Sequence, residues 1–182
     1  MKTVGDLLDT FTVTAAKPGF NDPEENGQSA FETITEASFP GKWKVFYFYS
    51  KDFSPVCAAE IVEFGRLRDA FEQRDAVLLG GSADNELVKL AWRRAHPGLD
   101  RLNHHAFGDV KGELIDQLGI RDHDAGVALR ATFIVDADNT IQHVSVNSLD
   151  VGRNPAEILR TLEALQTGEP CPPVSAAGDP RP

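Results

Sequence analysis

In the stretch FYFYSKDFSPVCAAEI, Phe46 to Ile61, a strongly apolar run stops at a charged, proline-marked turn and is followed by a cysteine. Ile61, Phe64, Leu67 and Phe71 then recur at helical spacing, so Cys57 is expected in or just before the first turn of a helix. A thiolate attacks where a thiol does not, and an ordinary cysteine of pKa about 8.5 is only ~3% ionised at pH 7. A helix amino terminus offers oriented N–H groups and partial positive charge, and an arginine brought alongside by the fold would add a full charge. Even a fall to about 6 multiplies the thiolate fraction only roughly thirty-fold, so groups that stabilise a transition state are needed as well. Ser54 carries a hydroxyl that both donates and accepts, and Pro55 stiffens the turn between it and Cys57. A bare carboxylate at Glu60, one helical turn further on, would oppose ionisation of the thiol, which predicts that Glu60 pairs with an arginine.

The surrounding pattern supplies elements to hold these residues. Phe11 to Ala15 reads as a short strand, Lys17 to Gly27 as a loop, and Lys42 to Tyr49 as a strand buried on both faces. Ala76 to Gly80 is a second buried strand. Ser82-Ala83-Asp84 reads as the cap of a helix through Ala95 that stops at His96-Pro97-Gly98. Lys111 to Leu118 gives another helix, Ala131 to Val135 and Ile141 to Val146 a strand pair across Ala137-Asp138-Asn139, and Asn154-Pro155 opens a final helix to about Gln166. Parallel βαβ units followed by a hairpin and a closing helix describe an α/β sandwich with a mixed central sheet, of thioredoxin-like topology. Residues 1–166 are expected to form that domain, and the proline-rich stretch 167–182, with Cys171, an extended arm.

With 182 residues and 41% hydrophobic content, one domain with a sizeable core is expected. A net charge of −10 disfavours nucleic acid and anionic membrane surfaces as partners, because both call for a basic patch. The acidic stretch MKTVGDLLDT lacks the apolar centre of a secretory signal, and no run is long enough to span a bilayer, so a cytoplasmic location is expected. There thiols stay reduced, and Cys57 and Cys171 are expected to be free or transiently paired.

Lys51-Asp52-Phe53-Ser54-Pro55-Val56-Cys57 with Glu60-Ile61 resembles the active-site segment of the typical two-cysteine peroxiredoxins, the bacterial alkyl hydroperoxide reductase C type in particular. Pro40-Gly41-Lys42-Trp43, Leu129 to Asp136, Val151-Gly152-Arg153-Asn154 and Gly168-Glu169-Pro170-Cys171-Pro172 stand in the same order as in that family. The resemblance implies a peroxidatic Cys57 oxidised to sulfenic acid and a resolving Cys171 that forms an intersubunit disulfide with it. It also implies Ser54 as the hydroxyl that binds peroxide and thiolate, Arg130 as the group that holds peroxide and lowers the thiol pKa, and Glu60 and Arg153 as the pairs that orient Arg130. Hydrogen peroxide and organic hydroperoxides would be the substrates, with no cofactor. A thioredoxin-like protein, a dedicated flavoprotein or an alkyl hydroperoxide reductase D-like protein would be the reductant, and a homodimer assembling into a ring such as a decamer the oligomer. The sequence departs from the family pattern at Ser50, usually proline, at Ser54, usually threonine, and at Ala58-Ala59, usually Pro-Thr. Loss of the first proline predicts a less constrained loop.

Other readings compete. Cys57 as an inert core cysteine, Cys171 as a surface thiol, and a non-enzymatic peroxide sensor or chaperone-like holdase are the alternatives. Adjacent His104 and His105 would point to opposite sides of an extended segment, so with His123 they are not expected to bind metal. Asp136-Ala137-Asp138-Asn139 reads as a hairpin turn, and without a CxxC pair a dithiol oxidoreductase is disfavoured.

Overall fold

The computed structural model of the chain describes residues 1–168. From the amino terminus the elements are β1 (Thr12–Ala16), β2 (Glu24–Glu25), β3 (Gln28–Ser29), β4 (Phe31–Thr35), β5 (Trp43–Phe48), α1 (Pro55–Glu72), β6 (Ala76–Ser82) and α2 (Glu86–Ala95). A 3-10 turn at Pro97–Leu99 leads to β7 (His105–Gly108), α3 (Glu113–Leu118), β8 (Arg121–Asp122), β9 (Val127–Ala128), β10 (Arg130–Val135), β11 (Ile141–Asn147) and α4 (Pro155–Thr167). Seven strands form one sheet in the order β11-β10-β5-β6-β7-β1-β4. β5, β6 and β7 are parallel and joined through α1 and α2, whereas β10, β11, β1 and β4 each run antiparallel to their inner neighbour. This is the mixed thioredoxin-like sheet that the order of elements implied.

The central strand β5 shows why its sequence lacks polar alternation. Phe46 and Phe48 enter a core with Phe107, Phe133 and the α3 residues Leu114, Ile115 and Leu118. Val45 and Tyr47 enter the opposite core with Ile61, Phe64 and Phe71 of α1, Trp92 of α2, and Ile158 and Leu162 of α4. Both faces are covered by helices, and each side chain of this size stabilises the fold by about 1.5–3 kcal/mol when fully buried. The Tyr47 ring passes so close to Gly80 on β6 that a Cβ there would collide with it.

Two details differ from the sequence reading. The cap of α2 is Asn85, whose side chain accepts from the Val88 amide at 3.0 Å, and not Ser82-Ala83-Asp84. Ser82 is the last residue of β6, and its hydroxyl donates to Asp52 and Asp84 at 2.9 and 3.1 Å. Strands β4 and β7 and the two-residue pairs β2–β3 and β8–β9 were not expected. β7 is only His105-Ala-Phe-Gly, held by parallel pairing to β6 on one side and antiparallel pairing to β1 on the other, so its environment rather than its residues makes it a strand.

The closing helix follows its signals, with Pro155 at its start and the Asn154 side chain accepting from the Ala156 amide at 3.1 Å. Its far end lies beside the far end of α1, where Gln166 Nε2 donates to the Arg74 carbonyl at 2.7 Å and Arg74 pairs with Glu163. The expected arm, including Cys171, lies outside the described residues apart from Thr167 and Gly168. Among the described residues no helix is long and apolar enough to cross a membrane.

Candidate active site

Chain leaving β5 turns through Tyr49 to Ser54 before α1 begins, with Phe53 in the left-handed region at φ 61°. Ser54 occupies the cap position of α1 in extended conformation, but its side chain does not cap the helix. Cys57 is the third residue of α1 and fully buried, at the end of the helix where partial positive charge accumulates.

Arg130, the first residue of β10, brings Nη1 to 3.3 Å from the Cys57 sulfur. The same nitrogen donates to Glu60 Oε2 at 2.5 Å, and Arg130 Nε donates to the Leu149 carbonyl at 2.6 Å. Glu60 in turn accepts from Arg153: backbone N–H to Oε1 at 2.8 Å, Nε to Oε1 at 3.0 Å and Nη2 to Oε2 at 3.2 Å. Arg153 Nη1 reaches the Ala131 carbonyl at 2.8 Å, and its guanidinium lies over the Tyr47 ring. All three charged side chains are buried, so removing either partner of a pair would strand an uncompensated charge.

Electrostatics follow from these contacts. Burial of the sulfur pushes the Cys57 thiol up, but hydrogen bonds from the Ser50 and Ser54 hydroxyls, the Lys51 amide and Arg130 outweigh it, and the net direction is down. Burial likewise pushes the Glu60 carboxyl up, and its bonds with Arg153, with Arg130 adding charge, bring it below the ordinary carboxylate range. The site is therefore a buried sulfur whose ionisation is favoured, beside a guanidinium that is itself fixed by a carboxylate, an arrangement suited to nucleophilic attack on an electrophile that gains negative charge.

A model of the AhpC/TSA family matches residues 4–144. The chain belongs to the AhpC/TSA family. Among its relatives it is 43% identical over 180 residues to alkyl hydroperoxide reductase C of Mycolicibacterium smegmatis, across 98% of this chain and 92% of that one. It is 35% identical over 176 residues to peroxiredoxin-2 of Mus musculus, across 93% of this chain and 84% of that one. The solved structure of Mycobacterium tuberculosis AhpC matches it with a TM-score of 0.87 at 43% identity, covering 94% of this chain and 97% of that one. These relatives are named as a reductase and a peroxiredoxin, which does not favour the sensor or holdase alternative.

In this AhpC/TSA chain, then, Cys57, Ser54, Arg130, Glu60 and Arg153 converge on one site, while Cys171 lies outside the described residues. Two neighbours were given no role at the site by the sequence reading. Ser50 Oγ lies 3.5 Å from the Cys57 sulfur. Behind the turn, Lys89 Nζ donates at 2.5 Å to both Asp52 Oδ2 and Ser82 Oγ, while the Tyr49 hydroxyl donates to Asp52 Oδ1 at 3.1 Å and the Asp52 amide to Asp84 Oδ2 at 2.8 Å. A lysine beside Leu90 and Trp92 on the buried side of α2 was the available signal for this cluster. Two of the histidines have other partners: His104 Nε2 is hydrogen-bonded to the Tyr47 hydroxyl at 2.6 Å and His105 Nε2 lies 2.8 Å from a Glu32 carboxylate oxygen. Among the described residues no group of three or more His, Cys, Asp or Glu could hold a metal ion.

Proposed function

We propose that this AhpC/TSA chain is a thiol-dependent peroxidase that reduces hydrogen peroxide and organic hydroperoxides, with Cys57 as the peroxidatic residue. The observation that carries the reading is Arg130 Nη1, 3.3 Å from the Cys57 sulfur and 2.5 Å from Glu60. A guanidinium held this way stabilises both the thiolate before reaction and the charge that develops on the peroxide during it. The thiolate attacks the hydroxyl-bearing oxygen of ROOH, the O–O bond breaks as the S–O bond forms, and the sulfur loses two electrons to become a sulfenic acid. The RO⁻ released takes a proton from water and leaves as an alcohol, or as water when the substrate is hydrogen peroxide. Arg130 and the Ser54 hydroxyl donate to the peroxide oxygens, and Glu60 and Arg153 keep Arg130 in place.

Resolution falls to Cys171, whose thiolate attacks the sulfenic sulfur and expels hydroxide to form a disulfide. Reach argues for an intersubunit bond. The end of α4 is anchored at Arg74, and Cys57 lies about 25 Å back along α1 at 1.5 Å per residue. The chain from Gln166 to Cys171 spans at most about 18 Å, short of that length, which favours the Cys57 of a second protomer over its own. Because Cys57 is fully buried, the start of α1 must unwind for that bond to form.

The division of labour is a domain of residues 1–166 and an arm of 167–182 that carries the resolving thiol. Homodimers assembling into a ring such as a decamer, a cytoplasmic location, and recycling by a thioredoxin-like protein, a dedicated flavoprotein or an alkyl hydroperoxide reductase D-like protein complete the reading. A coupled assay of peroxide consumption with these reductants tests it. Sustained turnover is expected with at least one of them, none with Cys57→Ser, and one equivalent consumed without turnover with Cys171→Ser. Equal loss of the first oxidation in both variants would overturn the assignment of the two cysteines.

A further inference from the structure

Ser50 sits two residues beyond β5, on the bend that carries the chain toward α1. It is 9% exposed, its hydroxyl oxygen is 3.5 Å from the Cys57 sulfur, and no other hydrogen bond to that hydroxyl occurs among the described residues. When the sulfur is a thiolate it carries no proton, so the hydroxyl must be the donor. A hydrogen bond to an ion in a buried site is stronger than one to the neutral thiol, and the difference favours the ionised form. The proline usual at this position in the family has no side-chain hydrogen to give.

We propose that Ser50 is a further catalytic residue of the peroxidase centre, whose hydroxyl donates to the Cys57 thiolate from the β5 side and holds the reacting sulfur ionised and oriented before peroxide arrives. The direction of the Cys57 titration agrees, since burial is the largest influence on it and the Ser50 hydroxyl heads the hydrogen bonds that oppose burial. Other groups face the same sulfur. Arg130 comes from β10 with Glu60 and Arg153 behind it, the Ser54 hydroxyl and Lys51 amide come from the turn, and the Tyr49 phenol and the Lys89–Asp52 pair act at longer range. None of these is altered by substituting Ser50, so a Ser50 variant isolates one hydroxyl.

This inference rests on Cys57 as the reacting thiol, and its test is a titration that needs no turnover. In a Cys171→Ser background, ultraviolet absorbance of the thiolate against pH gives the Cys57 midpoint for the parent, Ser50→Ala and Ser50→Thr. Ser50→Ala is expected to move the midpoint up by about one pH unit, a roughly tenfold lower thiolate fraction on the acid side, as loss of a hydrogen bond to an ion requires. Ser50→Thr keeps the hydroxyl and is expected to titrate with the parent, and the pH profile of the first oxidation step should shift in parallel. Should the alanine variant not fold, Ser50→Gly removes the same hydroxyl and is read in its place. An unmoved midpoint without the hydroxyl, or a threonine variant shifted as far as alanine, would overturn the role of Ser50 and leave the peroxidase reading standing. No peroxide consumption by the wild-type protein would overturn that reading, whatever the titration gives.

Discussion

Glu60 and Arg130 meet in a buried ion pair of 2.5 Å, made by the same guanidinium nitrogen that lies 3.3 Å from the Cys57 sulfur. The nitrogen thus stands between the carboxylate and the sulfur, and Glu60 is itself held by three hydrogen bonds from Arg153. Arg130→Met removes a full charge and, on the proposed mechanism, a peroxide donor together. The first oxidation step, followed by stopped-flow fluorescence, should slow by about 10²-fold or more, and the Cys57 titration should move up. A wild-type rate would show that Arg130 does not act on the reacting sulfur.

How much of this was legible in the sequence depended on whether a residue's partners are local. The unbroken apolar run of β5 announced burial on both faces, and Asn154-Pro155 announced the start of α4, because strand faces and helix caps are set by neighbouring residues. The link from Glu60 to Arg130 spans 70 residues and that from Glu60 to Arg153 spans 93, so spacing alone could say only that Glu60 needed an arginine. The family resemblance supplied which ones. Ser50 was seen only as a departure from the family pattern and Lys89 was missed, for a physical reason: each is a polar residue in an apolar setting justified by contacts that tertiary packing makes. Ser82 and Asp84 looked like a helix cap because the same side chains that cap helices also serve buried networks, and nothing local separates the two uses.

Lys89 and Asp52 form an ion pair with both side chains only 1% exposed, and through it the turn before Cys57 is tied to β6 and α2. Burial pushes Lys89 down and Asp52 up, and their mutual attraction opposes both shifts. Lys89→Met leaves the Asp52 carboxylate buried without its cation, and urea unfolding should show a loss of about 3–5 kcal/mol. Adding Asp52→Asn should recover much of that loss, since the double variant strands no charge. A double-mutant cycle with no coupling would mean that the pair does not anchor the turn.

His104 is buried against Tyr47, and burial, with Arg93 nearby, pushes its pKa from the ordinary 6.5 down to about 3. In the folded protein the ring stays neutral to about pH 3, whereas the unfolded chain takes up a proton below 6.5. The unfolded state then binds more protons, so stability is fully present above 6.5 and is lost as pH falls from there toward 3. His104→Gln keeps an acceptor for the Tyr47 hydroxyl but cannot titrate. Its stability should fall less steeply with acid, by up to about 1.4 kcal/mol per pH unit, in urea titrations between pH 4 and 7. Parallel curves for the two proteins would mean that His104 titrates in the fold as it does in the unfolded chain.

The last relationship to test is the distance between Cys57 and the end of α4. Gln166 is hydrogen-bonded to the Arg74 carbonyl, at the opposite end of α1 from Cys57, and the five residues of chain from Gln166 to Cys171 span at most about 18 Å against about 25 Å along the helix, which favours a partner on a second protomer. One equivalent of peroxide should therefore produce a covalent dimer on non-reducing electrophoresis that dithiothreitol returns to monomer. Mixing Cys57→Ser chains with Cys171→Ser chains should restore a single disulfide, because each supplies the cysteine that the other lacks. Since the sulfur is fully buried in the reduced fold, the oxidised protein should also lose amide protection between Ser54 and Phe64. A monomer carrying its own Cys57 to Cys171 bond would refute the exchange between protomers.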